Sequence, residues 1–461
     1  MDIHRLTIAQ QRFLTDTFSA EDCLLTPEEM LVFRADASRL VGIPLAVVRP
    51  VYEDQVQLLF AWAQIEGVPL YPRARATNLV GGCVPYRPGV VISTLKLDHI
   101  VDITPDDFVA VVEPGVITGR LQVRLETQGL FYPPDPASVQ ISTIGGNVAT
   151  CAGGMCAVKY GVTRDYVLGL RAVLPGGDVI TPGGRSHKNV VGLDLVRLFV
   201  GSEGTLGMIT QLTLKLLPKP EATASVLVGF STEAAALTAA GRVFNAGILP
   251  VALEFMNIEV LDCLGRLGPV PWPGNIVAVL LLRLDGYIKA LPLEVARVAA
   301  VLRESGADFL VEGVSREAEA LLWELRRNIN PASFLVRPHK FSDDIAVPRG
   351  LINLAVTGIR AIGERYKLPI LIFGHLGDGN LHVNVMHDAD APGERERGQL
   401  AKAAVMDLAL SLGGTLSGEH GMGLSKVDHV ARQLEPRQIE LMRDIKRLFD
   451  PRGILNPGKA F

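Results

Sequence analysis

Apolar positions along this chain come in short runs separated by amphipathic stretches. The segment "PLAVVRPVYEDQVQLLFAWAQIEGVPLYPRA" reads as strand, helix, strand, with the helix starting after Pro50 and ending at Gly67. "GVVIST", "HIVDI" and "FVAVVEPG" follow as short strands, and "VITGRLQVRLETQGL" as a helix closed by Gly129. "VLGLRAVLPGGDVI" predicts a hairpin turning at Gly176–Gly177. "LVRLFVGSEGTLGMITQLTLKLLPKP" predicts a helix end, a glycine loop and a strand stopped by proline. The first 45 or so residues read as amphipathic helix, with Thr26 and Pro27 as a start signal.

The pattern changes near Pro220. "ASVLVGF", "VALEFMN" and "IVAVLLLRLDG" are strands separated by Ala- and Leu-rich helices, which predicts an α+β module with an antiparallel sheet. It continues through "ILIFGHLGDGNLHVNV" to a long helix over roughly Glu394 to Leu412. The tail reads as loop, helix, helix and a Pro/Gly-bounded end. With 461 residues, more than one core is expected.

Composition narrows the classes. Apolar residues are 48% and charged residues 20%, an ordinary globular balance. A formal charge of -4 leaves no basic excess for a nucleic-acid backbone. No apolar run is long enough to span a bilayer, and "MDIHRLTIAQQRF" lacks the apolar core of a signal peptide, so the expected location is the cytoplasm. Cys23, Cys83, Cys151, Cys156 and Cys263 are too scattered for a disulfide framework and lack iron–sulfur spacing. The pair in "CAGGMC" reads as a redox dithiol or, more in keeping with its spacing, as buried small hydrophobes.

Glycine clusters carry more information. "YPRARATNLVGGCVP" sets Thr77, Asn78 and Gly81–Gly82 between short strands, where backbone N–H groups could receive a phosphate; a plain glycine turn fits as well. "PPDPASVQISTIGGNVATCAGGMCAVKYG" would let backbone lie flat on a planar ligand, and "GSEGTLGMIT" adds a third such loop. Neither a P-loop nor a G-x-G-x-x-G after a strand is present.

In "FGHLGDGNLHVNV" a hairpin turning at "LGDGN" would bring His375 and His382 together on adjacent strands. "SGEHGMG" offers Glu419 beside His420 in a glycine loop. Two imidazoles and a carboxylate suit zinc, manganese or iron. The alternative is a pair of histidines that merely hydrogen-bond around the turn.

In this order, "PRARATNLVGG", "PPDPAS…TIGGNVATCAGG…KYG", "GSEGTLG", "GHLGDGNLHVNV", "SGEHGMG" and "LNPGK" resemble the FAD-linked oxidases of the vanillyl-alcohol oxidase type. The similarity is to the branch of D-lactate dehydrogenase, D-2-hydroxyglutarate dehydrogenase and the glycolate oxidase FAD subunit, from about residue 40 to the end. The resemblance implies an α+β fold: a two-subdomain FAD-binding domain over 1–220, an α+β cap domain with an antiparallel sheet over 221–415, and a C-terminal segment, 416–461, returning to the FAD domain. Arg73, Thr77, Asn78, Gly81 and Gly82 would cradle the pyrophosphate. Pro134, Ser138, Thr143, Gly145, Gly146, Asn147 and Gly153 would line the flavin and its tail, with Ile209 toward the adenine and Asn456 near the flavin. The family's pyrophosphate loop usually reads P-R-G-x-G-T; here Ala74 and Ala76 replace two glycines around Arg75, and an alanine is expected there only with negative φ. His99 and His187, the only histidines between residues 5 and 338, lie outside the glycine loops, so FAD is expected to be non-covalent.

The resemblance further implies a divalent metal, zinc first and manganese or iron as alternatives, on His375, His382 and Glu419, with His420 as base. Arg326 and Lys340 would hold a substrate carboxylate, with Asn384 helping to position it. The implied reaction is oxidation of a D-2-hydroxy acid to the 2-oxo acid, with hydride passing to flavin N5; D-lactate or glycolate is favoured because no second basic cluster is evident. D-2-hydroxyglutarate oxidation is the alternative, and an ether-lipid synthase-like FAD enzyme a more distant one. Electrons would leave to an iron–sulfur subunit, an electron-transfer flavoprotein or a quinone-linked complex, which could hold the protein at a membrane periphery. A homodimer is also compatible.

Overall fold

The computed structural model describes residues 5–460. They divide into two compact units. The first comprises the residues up to Gly153, Val162–Lys219 and the residues from Glu419 onward; the second comprises Gly154–Gly161 and Pro220–Gly418.

The first unit holds two main sheets. One is four-stranded, in the order Cys23–Leu24, Pro44–Val48, Gly89–Ser93, Leu70–Arg73, with the last three strands parallel. The parallel pairing needs a crossover, supplied by the helix Glu53–Glu66. Val56, Leu59, Phe60 and Ala63 recur on one helix face and are buried, and Gly67 at φ 71 closes the helix in a left-handed cap. The other sheet is antiparallel, in the order Ile100–Thr104, Val109–Val112, Met208–Lys215, Val167–Val173, Val179–Ile180. Its hairpin turns where Gly176 and Gly177 have φ of 104 and 94. The N-terminal stretch is less helical than its amphipathic pattern suggests. Among its described residues only Ile8–Thr17 and the turn Pro27–Met30 are α-helical, because Cys23–Leu24 pairs instead with the edge of Pro44–Val48. Sheet pairing there overrides local propensity.

The second unit is built on one seven-stranded antiparallel sheet, in the order Phe309–Gly313, Ala222–Phe230, Ala278–Gly286, Ala252–Met256, Ile370–His375, Asn380–His387, His339–Ala346. Both faces are covered. Val226, Leu280, Ile372 and Val383 pack toward the helices Glu233–Asn245, Leu291–Glu304, Ile352–Tyr366 and Glu394–Ser411. Leu227, Leu281, Leu371 and Phe373 pack on the other side with residues of Ile258–Leu267 and Arg316–Arg327. Fully burying one such Leu or Phe contributes about 1.5–3 kcal/mol, so this sheet is a rigid platform. Among the described residues, no helix is long and apolar enough to cross a membrane.

Candidate active site

In the first unit, three glycine-containing segments and the start of the C-terminal return enclose a cavity of about 1400 Å³, its solvent-filled mouth included. Residues 72–79 follow the strand Leu70–Arg73 and form one wall. A second wall is the short helix Ile144–Thr150, whose Thr143 side chain accepts from Gly146 N at 3.2 Å. Here glycine is required by proximity: a Cβ at Gly145 would lie 2.4 Å from Pro114 Cβ, and one at Gly146 3.2 Å from Ala74 Cβ. Ser202, Glu203, Gly204, Glu419 and His420 complete the lining.

These segments are tied to each other. Asn78 Oδ1 accepts from Val80 N and Gly82 N at 3.0 and 2.8 Å, while its Nδ2 donates to the His420 carbonyl at 3.1 Å. Asn456 Nδ2 donates to the carbonyls of Gly82 and Glu203 at 3.0 and 2.6 Å. Lys459 Nζ donates to Gly82 O at 2.9 Å and to Asn456 Oδ1 at 3.1 Å. Burial lowers the Lys459 ammonium to about 8 against the opposing pull of Cys83, Glu203 and Asp36. Burial likewise lifts the Glu203 carboxyl above the usual range, opposed by the Met422 and Gly423 N–H groups.

The second unit presents a polar row on one face of its sheet. Pairing sets Phe373 opposite His382, His375 opposite Asn380, and Glu254 opposite His375. The two imidazoles meet edge to face, Nε2 to Nε2 at 3.3 Å. Glu254 is completely buried. One of its oxygens lies 2.5 Å from His375 Nδ1 and the other accepts from Arg326 Nε at 2.6 Å. Burial pushes this carboxyl up, but the His375 and Arg326 charges outweigh it and hold it at about 2. An ionised carboxylate only accepts, so the His375 Nδ1 that faces it carries a proton. The Arg326 guanidinium also lies over the Phe373 ring at 4.9 Å. Among the described residues, no hydrogen bond engages its two terminal nitrogens. Four residues further on, Asn330 Oδ1 accepts from Lys340 Nζ at 2.5 Å, which brings the lysine to the end of the segment carrying Arg326. Asn384 accepts from Ser342 Oγ at 2.7 Å on the same face.

Residues 44–183 match the FAD binding domain family, and residues 219–460 match the family of FAD linked oxidases, C-terminal domain. The chain belongs to the FAD-linked oxidase family. It is 39% identical to the glycolate oxidase subunit GlcD of Bacillus subtilis (strain 168), over 94% of this chain and 92% of that one. It is 35% identical to D-lactate dehydrogenase of Anaerostipes hadrus, over 98% and 95%. Among solved structures, p-cresol methylhydroxylase shares the fold at a TM-score of 0.80 with 18% identity, over 98% of this chain and 96% of that one. The protein is thus an FAD-dependent oxidoreductase with the two-domain fold of this family, and the glycine-lined cavity fits its flavin nucleotide.

Measured against this cavity, Arg73, Thr77, Asn78, Gly82, Ser138, Thr143, Gly145, Gly146, Asn147, Gly153 and Ile209 line it. Arg73 does so with its guanidinium turned inward, donating to Val32 O at 2.9 Å and reaching Cys83 Sγ at 3.4 Å. Gly81, Pro134 and Asn456 are not in the lining. The Pro134 carbonyl accepts from Gln122, Pro136 takes the wall position, and Asn456 acts behind the wall as a tie. Ala76 corrects an expectation: its φ is +55, so the methyl sits in the left-handed region after all. Arg75 is exposed at the cavity edge. Glu254 and Glu203 were missed. The visible signal for each was a carboxylate alone in an apolar or glycine-rich context, "VALEFM" and "GSEGTLG".

Proposed function

We propose that this oxidoreductase oxidises a small D-2-hydroxy acid, D-lactate or glycolate before D-2-hydroxyglutarate, to the 2-oxo acid. The observation that carries the reading is Arg326: Glu254 fixes its Nε, and its terminal fork is left for a carboxylate, which it matches in a two-bond geometry. Lys340, bonded to Asn330 in the helix after the one that carries Arg326, is proposed to add positive charge, and Asn384 lies on the same sheet face as His382.

The His375–His382 pair fits a divalent metal. At the about 2.0–2.1 Å of a zinc–imidazole bond, a tetrahedral angle separates two nitrogens by about 3.3 Å, which is the Nε2–Nε2 distance present. Glu254, by accepting from His375 Nδ1, would leave Nε2 as the ligating nitrogen. Glu419 is the proposed third ligand. Its neighbour Gly418 packs so closely on Asn380 that a Cβ there would collide with it, and Ser417 donates at 3.2 Å to Asp344, the residue paired with His382. Such anchorage fixes the chain immediately before Glu419. A metal would lower the pKa of the substrate hydroxyl when bound. Arg326 and Lys340 orient the acid and His420 takes the hydroxyl proton; FAD, when bound, would supply the acceptor for the C2 hydride. FAD is held non-covalently, and the electrons pass on to a partner protein, as the word "subunit" in the name of the Bacillus relative suggests for that protein.

Dye-linked turnover tests the carboxylate handle. D-lactate should be oxidised and propane-1,2-diol, which lacks the carboxylate, should not. Arg326→Met should raise KM for the acid about 10- to 100-fold, the worth of a charge-assisted hydrogen bond. Equal turnover of acid and diol would remove the reading.

A further inference from the structure

We infer that Glu203 is a positioning residue that holds the loop carrying His420 against the flavin cavity. The inference rests on the reading of His420 as proton acceptor.

Residues 420–425 form a loop in which Gly421 and Gly423 both have positive φ, closed at its end by Lys426 N donating to Met422 O at 3.0 Å. It is also held from outside. At its start, Asn78 Nδ2 holds the His420 carbonyl at 3.1 Å. At its end, Leu424 N and Ser425 N both donate to Val80 O, at 2.7 and 3.0 Å. Between them, Glu203 spans two successive amides: Oε1 accepts from Met422 N at 2.7 Å and Oε2 from Gly423 N at 2.9 Å. The loop passes so near this carboxylate that a Cβ at Gly421 would lie 2.9 Å from Oε1.

Glu203 is itself a fixed anchor. Its N–H donates to Ala149 O at 2.8 Å, in the helix that walls the cavity, and its carbonyl accepts from Asn456 at 2.6 Å. These ties hold the residue at φ +53, a backbone state that side chains rarely adopt. The side chain is 8% exposed. Only a carboxylate answers both amides, because each oxygen faces an N–H donor. A glutamine would turn its own NH₂ toward one of them and break that side of the clamp. With the clamp open, His420 loses its fixed distance to the substrate hydroxyl, and misplacement by about 1 Å costs on the order of 100-fold in rate.

The test uses full-length holoprotein. Anaerobic flavin reduction by the best hydroxy acid is timed in wild type, Glu203→Gln, His420→Ala and the double variant. We expect Glu203→Gln to slow the limiting reduction rate about 10- to 100-fold, while the substrate concentration for half-maximal rate and the bound FAD stay close to wild type. The double variant should be no slower than His420→Ala alone, because Glu203 acts through that histidine. Hydrogen–deuterium exchange at Met422 and Gly423 should quicken in Glu203→Gln. If Glu203→Gln does not retain FAD, Glu203→Asp carries the same comparison, since it keeps both acceptors one methylene short. A normal reduction rate in the variant, or losses that simply multiply in the double variant, would overturn the proposal. His420→Ala reducing its flavin at the normal rate would instead remove the base assignment, whatever Glu203 does.

Discussion

Glu254 lies 2.5 Å from His375 Nδ1, and its other oxygen is bonded to Arg326. One buried carboxylate therefore sets the tautomer of a proposed metal ligand and the direction of a proposed substrate clamp. Replacing it by glutamine leaves the Arg326 charge, whose side chain is only 13% exposed, without its partner. Breaking such a pair costs about 3–5 kcal/mol, so the Glu254→Gln melting temperature should fall by several degrees. Loss of the histidine's orienting bond should also weaken metal binding about 10- to 100-fold, read by competition with a coloured chelator. Unchanged melting and unchanged metal affinity would show that Glu254 does neither job.

Ala76 holds φ +55, a backbone state that favours glycine. The left-handed state costs an alanine about 1–2 kcal/mol, partly offset by the roughly 0.5–1 kcal/mol that glycine loses in chain entropy on folding. Ala76→Gly should therefore stabilise the protein by up to about 1 kcal/mol, and Ala76→Val should destabilise it and loosen FAD. Thermal melts and FAD titrations of the two variants check this; a less stable glycine variant would contradict it.

Lys459 gives a pH signature. Its ammonium, 2% exposed, is lowered by burial from 10.5 to about 8 in the folded protein. Below pH 8 the lysine is charged in both states and its burial penalty is fully present. Between about pH 8 and 10.5 the unfolded chain binds the proton and the folded one does not, so stability rises with pH. The full gain, from well below 8 to well above 10.5, is on the order of 3 kcal/mol. Melting curves at pH 8 and 10 should show wild type gaining on Lys459→Met by about 2 kcal/mol, the part of it that falls between those two pH values. A difference that does not change with pH would mean that Lys459 titrates as in water.

Most of the fold was legible because its elements obey simple periodicities and stops. Gly67, Gly129 and Gly176–Gly177 end or turn their elements where the sequence suggests. The His375–His382 pairing followed from the hairpin alone. What escaped depends on long-range packing. Residues 154–161 belong with the second unit although they lie within the first domain's span of sequence. Nothing local reveals this: Lys159 and Tyr160 are held there by Asp285, far along the chain. Glu254 shows its role only once the register sets it beside His375. Arg73 lines the cavity as the motif suggests, and the bonds of its guanidinium to Val32 and Cys83 are ties that no motif shows. Gly81, Pro134 and Asn456 stand one step behind the cavity wall, a difference no motif distinguishes.

Acid precipitation should release all the yellow colour into the supernatant, as expected for FAD held by loops and not by a covalent bond. Colour kept in the washed pellet would require a covalent link. His382→Ala should lose its metal and its turnover while retaining the same yellow colour.

The central claim is tested most directly by anaerobic bleaching of the flavin. Metal-replete protein is mixed in turn with D-lactate, L-lactate, glycolate and D-2-hydroxyglutarate. The account predicts rapid bleaching by D-lactate or glycolate, slow or no bleaching by L-lactate, and loss of the fast phase after chelation with FAD still bound. No bleaching by any of the four, with FAD and metal both present, would contradict it.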